Sequence, residues 1–199
     1  MKRTVTFGEI MLRLKTPEHM RILQTDAFEA SYGGAEANVA VSLAVLKDPV
    51  SFVTKLPENP VGTAALNEVR RYGADTSKVV IGGSRLGIYF FEKGTDIRPT
   101  NVVYDREGSA LALAKPEEFH WDEILKDTDI FYFSGVTPAV SENIAKAVLE
   151  ALKYCKAHGI ETVCDLNYRS KMWDTKKAQS VMSELMNYVT LCIANDEDF

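Results

Sequence analysis

The 199-residue sequence has no excess of positive charge, because its 23 lysines and arginines face 28 aspartates and glutamates, a formal net charge of -5. Proteins that bind nucleic acid or an anionic membrane surface usually carry a basic excess, so this balance argues against both partners. No apolar run is long enough to span a bilayer, and the N-terminal residues alternate like a β-strand instead of forming a signal peptide. These absences indicate a soluble globular protein.

Cysteine and histidine are also scarce. Cys155, Cys164 and Cys192 are an odd number and lie in separate apolar segments, which is typical of reduced thiols in the core of a cytoplasmic protein. The three histidines have no spacing typical of a metal site. We therefore expect a cytoplasmic protein that has reduced thiols and no histidine metal site.

The most informative stretch begins with the pair Gly33-Gly34. It continues into residues 35–46, whose only polar members are Glu36, Asn38 and Ser42. Such a uniformly apolar run predicts a buried helix, with Asn38 and Ser42 on one face because they are four residues apart. Two glycines at a helix start allow a ligand to approach the backbone closely. The pair alone is more typical of an ordinary turn before a core helix.

The second half of the sequence has the pattern of a βαβ unit. Residues 129–135 and 160–165 read as buried strands, and the helix between them begins after Ser141 and ends at Gly159. The two strands should be parallel, and ligands of such sheets gather beyond the carboxyl ends of the strands. Thr137 follows the first strand, and the string Asp-x-Asn-x-Arg, ending at Arg169, follows the second. We interpret both as candidate ligand contacts, although a helix cap near residue 167 would also explain the string.

Residues 82–109 have a different character. Two β-rich segments, 86–94 and 101–106, have no helix between them, so they should pair antiparallel and form a small β lid outside the main sheet. Because alternate residues of a strand share one side, Tyr89, Tyr104 and Arg106 can lie on one face. Two phenols and a guanidinium would suit a polar, anionic ligand, whereas a solvent-facing strand surface is the alternative.

These motifs resemble a known family. The set Gly33, Gly34, Ala35, Asn38 and Ala40 resembles the N-terminal signature of the ribokinase-like (PfkB) carbohydrate kinases, and the similarity extends along nearly the whole chain. The lid set Tyr89, Tyr104 and Arg106, followed by Gly108-Ser109-Ala110, resembles the 2-keto-3-deoxygluconate kinases within that family. The resemblance implies a three-layer α/β fold over residues 1–199 with a central, mostly parallel sheet, incomplete at the C-terminus. The β lid would come from about residues 12–30 and 84–109.

The resemblance also implies a reaction and a site. The reaction would be ATP-dependent phosphorylation of 2-keto-3-deoxygluconate to its 6-phosphate, with Mg²⁺. The implied substrate-binding residues are Gly33, Gly34, Asn38, Tyr89, Tyr104, Arg106, Thr137 and Arg169. Arg169 and Asn195 would contact the nucleotide, and Asp198 would help to position Mg²⁺ indirectly, unless it belongs to an acidic tail without a role. Where the family has an acid that holds sugar hydroxyls, this chain has Arg13, which would suit an anionic substrate or be an ordinary surface residue.

One family motif does not occur in this sequence. There is no Gly-x-Gly-Asp, which supplies the catalytic base in these kinases, and no Walker loop. The resemblance places that aspartate beyond Phe199, so we expect the chain to hold the sugar-binding part and to be inactive alone. Related kinases often dimerise through the lid, which predicts a homo-oligomer. The alternatives are a fructokinase-like or other PfkB sugar kinase and, from a different class, a non-catalytic sugar-binding or subunit protein.

Overall fold

The computed structural model describes residues 2–196 and 198. The strands are β1 (Thr4–Phe7), β2 (Met11–Lys15), β3 (Glu29–Gly33), β4 (Val50–Val53), β5 (Lys55–Leu56), β6 (Val80–Ile81), β7 (Ile88–Glu92), β8 (Asn101–Asp105), β9 (Ile130–Ser134), β10 (Glu161–Asp165) and β11 (Leu191–Ile193). The helices are α1 (Ala35–Val45), α2 (Pro60–Arg70), α3 (Trp121–Ile124), α4 (Glu142–His158) and α5 (Thr175–Met186). None of the described helices is long and apolar enough to cross a membrane.

The main sheet has five parallel strands in the order β11-β10-β9-β1-β4. Buried side chains form two clusters, one that includes residues of α3, α4 and α5 and another that includes residues of α1 and α2. Helices therefore cover both faces of the sheet, as parallel strands require. The predicted three-layer α/β fold is confirmed. Between β9 and β10, α4 is capped by the Ser141 hydroxyl at its start and ends at Gly159 in the left-handed conformation, as predicted.

Four further strands form a separate mixed sheet in the order β3-β2-β7-β8, which we call the lid sheet. β7 and β8 are antiparallel, as the lack of a connecting helix predicted, and β2 pairs parallel to β7 and antiparallel to β3. The connection from β1 to β2 contains only three residues, so the main sheet leads almost directly into the lid sheet.

Two expectations about burial were wrong. α1 is buried on one face only, where Ala37, Ala40 and Ala44 pack against the sheet, whereas Val45 is 55% exposed. The sequence shows an apolar residue at almost every position, but the buried residues of α1 are Glu36 and three alanines, which leaves the larger Val45 toward solvent. Cys192 also lies exposed on the edge strand β11 instead of in the core.

A buried carboxyl group joins α1 to the end of β9. Glu36 is 1% exposed, and its Oε1 accepts hydrogen bonds from the Ser134 amide (2.8 Å), the Ser134 hydroxyl (2.6 Å) and the Thr137 hydroxyl (2.8 Å). Its Oε2 has no hydrogen-bond partner among the described residues and lies against Gly8, where a Cβ atom would be 2.0 Å away. The start of α1 is therefore fixed to the carboxyl ends of β1 and β9.

The protonation of Glu36 follows from this environment. Burial raises the pKa of the carboxyl group above its ordinary value of 4.5, and the hydrogen bonds from Ser134 and Thr137 oppose that shift only in part. The nearby titratable groups Tyr132 and Cys164 bring no positive charge to Glu36. Burial thus favours the neutral form of Glu36, whereas the three hydrogen bonds to Oε1 favour the charged form.

We predict that Glu36 makes the folded state less stable as the pH rises. Between pH 4.5 and the raised pKa of Glu36, the folded chain holds a proton that the unfolded chain has lost, so the free energy of unfolding falls with pH. This contribution should reach at most about 1.4 kcal/mol per pH unit, and Glu36→Gln should remove it. Urea unfolding followed by circular dichroism from pH 4 to pH 8 measures the slope. Glu150→Gln, an exposed change on α4, is the control, and a Glu36→Gln slope equal to that of the wild type would contradict the prediction.

Candidate functional site

A cavity of about 860 Å³ lies between the lid sheet, the start of α1 and the segment that follows β10. All the predicted substrate-binding residues except Thr137 line it, namely Gly33, Gly34, Asn38, Tyr89, Tyr104, Arg106 and Arg169. Asn195 and Asp198, which were predicted to act near the nucleotide and the metal, line the same cavity. The structure thus brings together residues that are up to 165 positions apart in the chain, from Gly33 to Asp198.

The lid sheet presents one face to this cavity. Arg13, Tyr89 and Tyr104 are direct partners across β2, β7 and β8, so their side chains leave the sheet on the same side. The rings of Tyr89 and Tyr104 lie with centroids 5.9 Å apart. Arg106 follows Tyr104 by two positions and lines the same cavity. The strand alternation therefore predicted correctly that the two tyrosines and Arg106 share a face.

Arg106 is held by a carboxylate that the sequence analysis missed. The Arg106 guanidinium pairs with Glu9, whose side chain is 4% exposed, and Glu9 also accepts a hydrogen bond of 2.5 Å from the Ser109 hydroxyl. Glu9 lies in the short connection between β1 and β2. The only sequence signal was an acidic residue directly after a buried strand, and its partner was 97 positions away.

Arg13 is placed differently from Arg106. Its guanidinium carbon lies 4.1 Å from the centre of the Phe91 ring, and its buried Nε has no acceptor among the described residues. Burial raises the pKa of the Tyr89 phenol, and the positive charge of Arg13 partly offsets that shift. Arg13 was predicted to be either an anion contact or a surface residue, and the structure places it in the cavity wall.

The two glycines at the start of α1 serve different purposes. A Cβ atom at Gly34 would lie 1.8 Å from the carbonyl oxygen of Glu9, so close packing of the backbone requires glycine there. A Cβ atom at Gly33 would meet only ordinary contacts, 3.5 Å from the Tyr89 hydroxyl and 3.7 Å from the Asn38 Oδ1. Two polar atoms therefore converge on the space beside Gly33, which leaves room for a ligand hydroxyl.

Thr137 does not belong to the cavity, which corrects its assignment as a substrate contact. It is fully buried, donates its hydroxyl hydrogen to Glu36 at 2.8 Å and lies 3.3 Å from the Phe7 carbonyl oxygen. Its position after a strand end suggested a ligand contact, but its side chain turns into the protein to meet the carboxyl group of Glu36. Thr137 therefore supports the start of α1.

Asp198, near the chain end, is hydrogen-bonded to the segment that follows β10. The two Asp198 carboxylate oxygens accept hydrogen bonds from the Tyr168 amide (2.8 Å) and the Asn195 amide (3.0 Å). The Arg169 guanidinium donates one hydrogen bond to the Tyr168 carbonyl oxygen and is otherwise exposed toward the cavity. Within residues 2–196 and 198, no three His, Cys, Asp or Glu side chains are grouped to hold a metal ion.

Comparisons with known proteins extend this description. The crystal structure of a 2-dehydro-3-deoxygluconokinase from Thermotoga maritima superposes with a TM-score of 0.97 at 49% sequence identity, covering 100% of this chain and 61% of that one. The 2-dehydro-3-deoxygalactonokinase of Haloferax volcanii is 39% identical over 194 residues, which are 98% of this chain and 61% of that protein. The 5-dehydro-2-deoxygluconokinase of Shouchella clausii is 29% identical over 185 residues, covering 92% of this chain and 56% of that protein.

The chain therefore spans about three fifths of the length of these relatives. The sequence model that describes the pfkB family carbohydrate kinases matches residues 1–199, the whole of the chain. The structural similarity agrees with the central parallel sheet and the smaller mixed lid sheet. The chain belongs to the pfkB family of carbohydrate kinases.

Proposed function

We propose that this chain is the sugar-binding part of an ATP-dependent kinase that phosphorylates 2-keto-3-deoxygluconate (2-dehydro-3-deoxygluconate) to its 6-phosphate. The proposal rests on the cavity face of the lid sheet. There Tyr89 and Tyr104, together with Arg13 and Arg106, lie opposite Gly33 and Asn38. Phenols and guanidinium groups suit a carboxylate, whereas an amide side chain and a glycine backbone suit sugar hydroxyls. One ligand that has both groups would engage both walls.

Different residues would contact the two ends of such a ligand. Gly33, Gly34 and Asn38 would hold the hydroxyl groups, with Asn38 exposed on the first turn of α1. Tyr89, Tyr104 and Arg106 would hold the acid end on the lid sheet, and Arg169 would approach from the segment after β10. The relatives named above act on different dehydro-deoxy sugars or sugar acids, so the stereochemistry of the substrate would depend on the hydroxyl contacts beside Gly33.

The nucleotide would lie on the Arg169 side of the cavity. ATP supplies the phosphoryl group, and Mg²⁺ when bound would offset charge on the phosphates. The exposed Arg169 guanidinium keeps donors free for phosphate oxygens, and Asn195 lines the same wall. Both Asp198 oxygens already accept amide hydrogen bonds, so the described residues do not fit a direct Mg²⁺ site, and we assign none. The buried free thiols Cys155 and Cys164 suit the cytoplasm as the place of action.

The first test is a coupled ADP-release assay with 2-keto-3-deoxygluconate, ATP and Mg²⁺. A form of the protein that extends through a Gly-Ala-Gly-Asp motif should turn over the sugar acid. The 199-residue chain should bind the sugar but show no measurable turnover, because a positioned general base contributes about 10²–10⁴-fold. Comparable turnover by the short chain would contradict the division of roles proposed here. Equal rates with fructose would favour the fructokinase-like alternative, and sugar binding without turnover by the extended form would favour the non-catalytic one.

We predict that the two roles of Arg106 can be separated. Arg106→Ala should weaken binding of the sugar acid, because a charge-assisted hydrogen bond is lost, and should also lower the free energy of unfolding by about 3 kcal/mol, because buried Glu9 loses its partner. The double change Glu9→Gln with Arg106→Ala should recover much of the stability but none of the binding. Isothermal titration with the sugar acid and with fructose, together with urea unfolding, measures both effects. Equal loss of affinity for both sugars would contradict a role in carboxylate recognition.

We also propose that the lid sheet mediates a homodimer. The residues Leu14, Phe90 and Val103 are direct partners across β2, β7 and β8 on the face opposite Arg13 and Tyr89. Val103 is 46% exposed, and an apolar sheet face of this kind is usually covered by a partner.

Sedimentation of the extended protein at micromolar concentration should therefore show a dimer. Val103→Glu should convert it to a monomer, because a charge at the centre of an apolar interface loses its hydration. Val45→Glu, at an exposed apolar position on α1, is the matched control and should leave the dimer intact. A wild-type monomer, or the same dimer in both variants, would show that this face is not the interface.

A further inference from the structure

The two arginines on the cavity face of the lid sheet differ in how their charges are balanced. Arg106 is paired with the buried Glu9 carboxylate, so its charge is largely cancelled before any ligand arrives. Lys15, the next cation along β2, pairs with Glu29 at 2.8 Å. Arg13 lies between them and forms no ion pair with a carboxylate among the described residues.

The surroundings of Arg13 hold its side chain in place and use only part of its hydrogen-bonding capacity, since the Tyr89 phenol takes one side-chain hydrogen bond from it. Its guanidinium carbon lies 4.1 Å from the centre of the Phe91 ring, an arrangement that combines cation–π attraction with stacking. Tyr89, its direct partner on β7, lies beside it on the same face. The Arg13 Nε is buried and meets no acceptor among the described residues, which is unfavourable unless an acceptor is supplied. An anionic oxygen in the cavity would supply one.

We propose that Arg13 is a further specificity-determining residue, one that selects a sugar acid over a neutral sugar together with Arg106. Its uncompensated charge would attract the carboxylate, and Arg106, balanced by Glu9, would act mainly as an oriented hydrogen-bond donor. This inference rests on the proposed function, because it assumes that a sugar acid occupies the cavity. It adds Arg13 to Tyr89, Tyr104, Arg106 and Arg169, the residues proposed above to hold the acid end.

The alternative is that Arg13 only packs the lid sheet. Its aliphatic stem and its contact with Phe91 would then stabilise β2 and β7, and its charge would be incidental. Replacing Arg13 would in that case lower the affinities for acidic and for neutral sugars to the same extent, since both sugars contact the same cavity wall. The ratio of the two affinities therefore distinguishes charge selection from packing.

The experiment compares Arg13→Gln and Arg13→Lys with the wild type and with Lys15→Gln as the matched control. Lys15→Gln removes one positive charge from the same strand, but at a position already paired with Glu29. Isothermal titration measures the affinity of the full chain for 2-keto-3-deoxygluconate and for fructose, a neutral 2-keto sugar, at low and at high salt. Circular dichroism checks that each variant is folded.

The expected result is a loss of about 10- to 100-fold in affinity for the sugar acid in Arg13→Gln, with little change for fructose. Arg13→Lys should recover part of the preference for the acid, since it restores the charge but not the planar donors. Lys15→Gln should keep the wild-type ratio, and the salt dependence of acid binding should weaken only when Arg13 is replaced by glutamine.

Three outcomes would overturn the inference. If Arg13→Gln keeps the wild-type ratio of affinities, or loses affinity for both sugars equally, Arg13 does not select the acid, although the proposed function stands. If Lys15→Gln loses the preference as strongly as Arg13→Gln, the selection reflects overall charge and not this residue. If the wild-type chain binds fructose as tightly as the sugar acid, the proposed function itself fails together with the inference. Should Arg13→Gln not fold, Arg13→Met removes the same charge and keeps most of the side-chain length, and an unchanged ratio of affinities in that variant would overturn the inference as well.

Discussion

The buried carboxylate of Glu9 is the interaction on which the geometry of the cavity depends. It lies in the three-residue connection from the main sheet to the lid sheet and pairs with Arg106, just beyond the end of β8. A carboxylate with so little exposure is strongly unfavourable without a partner, so Glu9 fixes where Arg106 must be. Its carbonyl oxygen lies against Gly34, which brings the start of α1 to the same point. One short connection thereby positions both walls of the cavity.

Glu36 is a second buried carboxyl group, and it too needs partners inside the protein because it is shielded from water. Its partners differ from those of Glu9. It has no cation beside it, so burial favours its neutral form, and hydroxyl and amide donors from Ser134 and Thr137 hold it in place. Glu9 is thus paired with a cation, whereas Glu36 is held by uncharged hydrogen-bond donors alone. The first arrangement ties the lid sheet to the main sheet, and the second ties α1 to β9. Together they keep Gly33 and Asn38 facing the lid sheet.

The strand pattern and the family resemblance predicted the parallel sheet and the shared face of Tyr89 and Tyr104. These two features follow from local signals, namely the alternation of residues along a strand and the glycines that end strands and helices. Neither buried carboxylate was predicted. Glu36 accepts hydrogen bonds from residues 98 and 101 positions away, and Glu9 pairs with a residue 97 positions away, so no local pattern identifies their partners. Thr137 was misassigned for the same reason, since only the position of Glu36 makes its hydroxyl turn inward. The structural position of the substrate-binding candidates is known, but their contacts with a sugar remain a prediction.

A crystal structure of the chain with 2-keto-3-deoxygluconate would show how the cavity orients a sugar acid. We expect the carboxylate of the sugar to lie on the lid sheet, within hydrogen-bond distance of the guanidinium of Arg13 and beside the hydroxyls of Tyr89 and Tyr104, with the sugar hydroxyls toward Gly33 and Asn38. A sugar bound in the reverse orientation, with its carboxylate against the start of α1, or bound outside this cavity, would contradict this expectation.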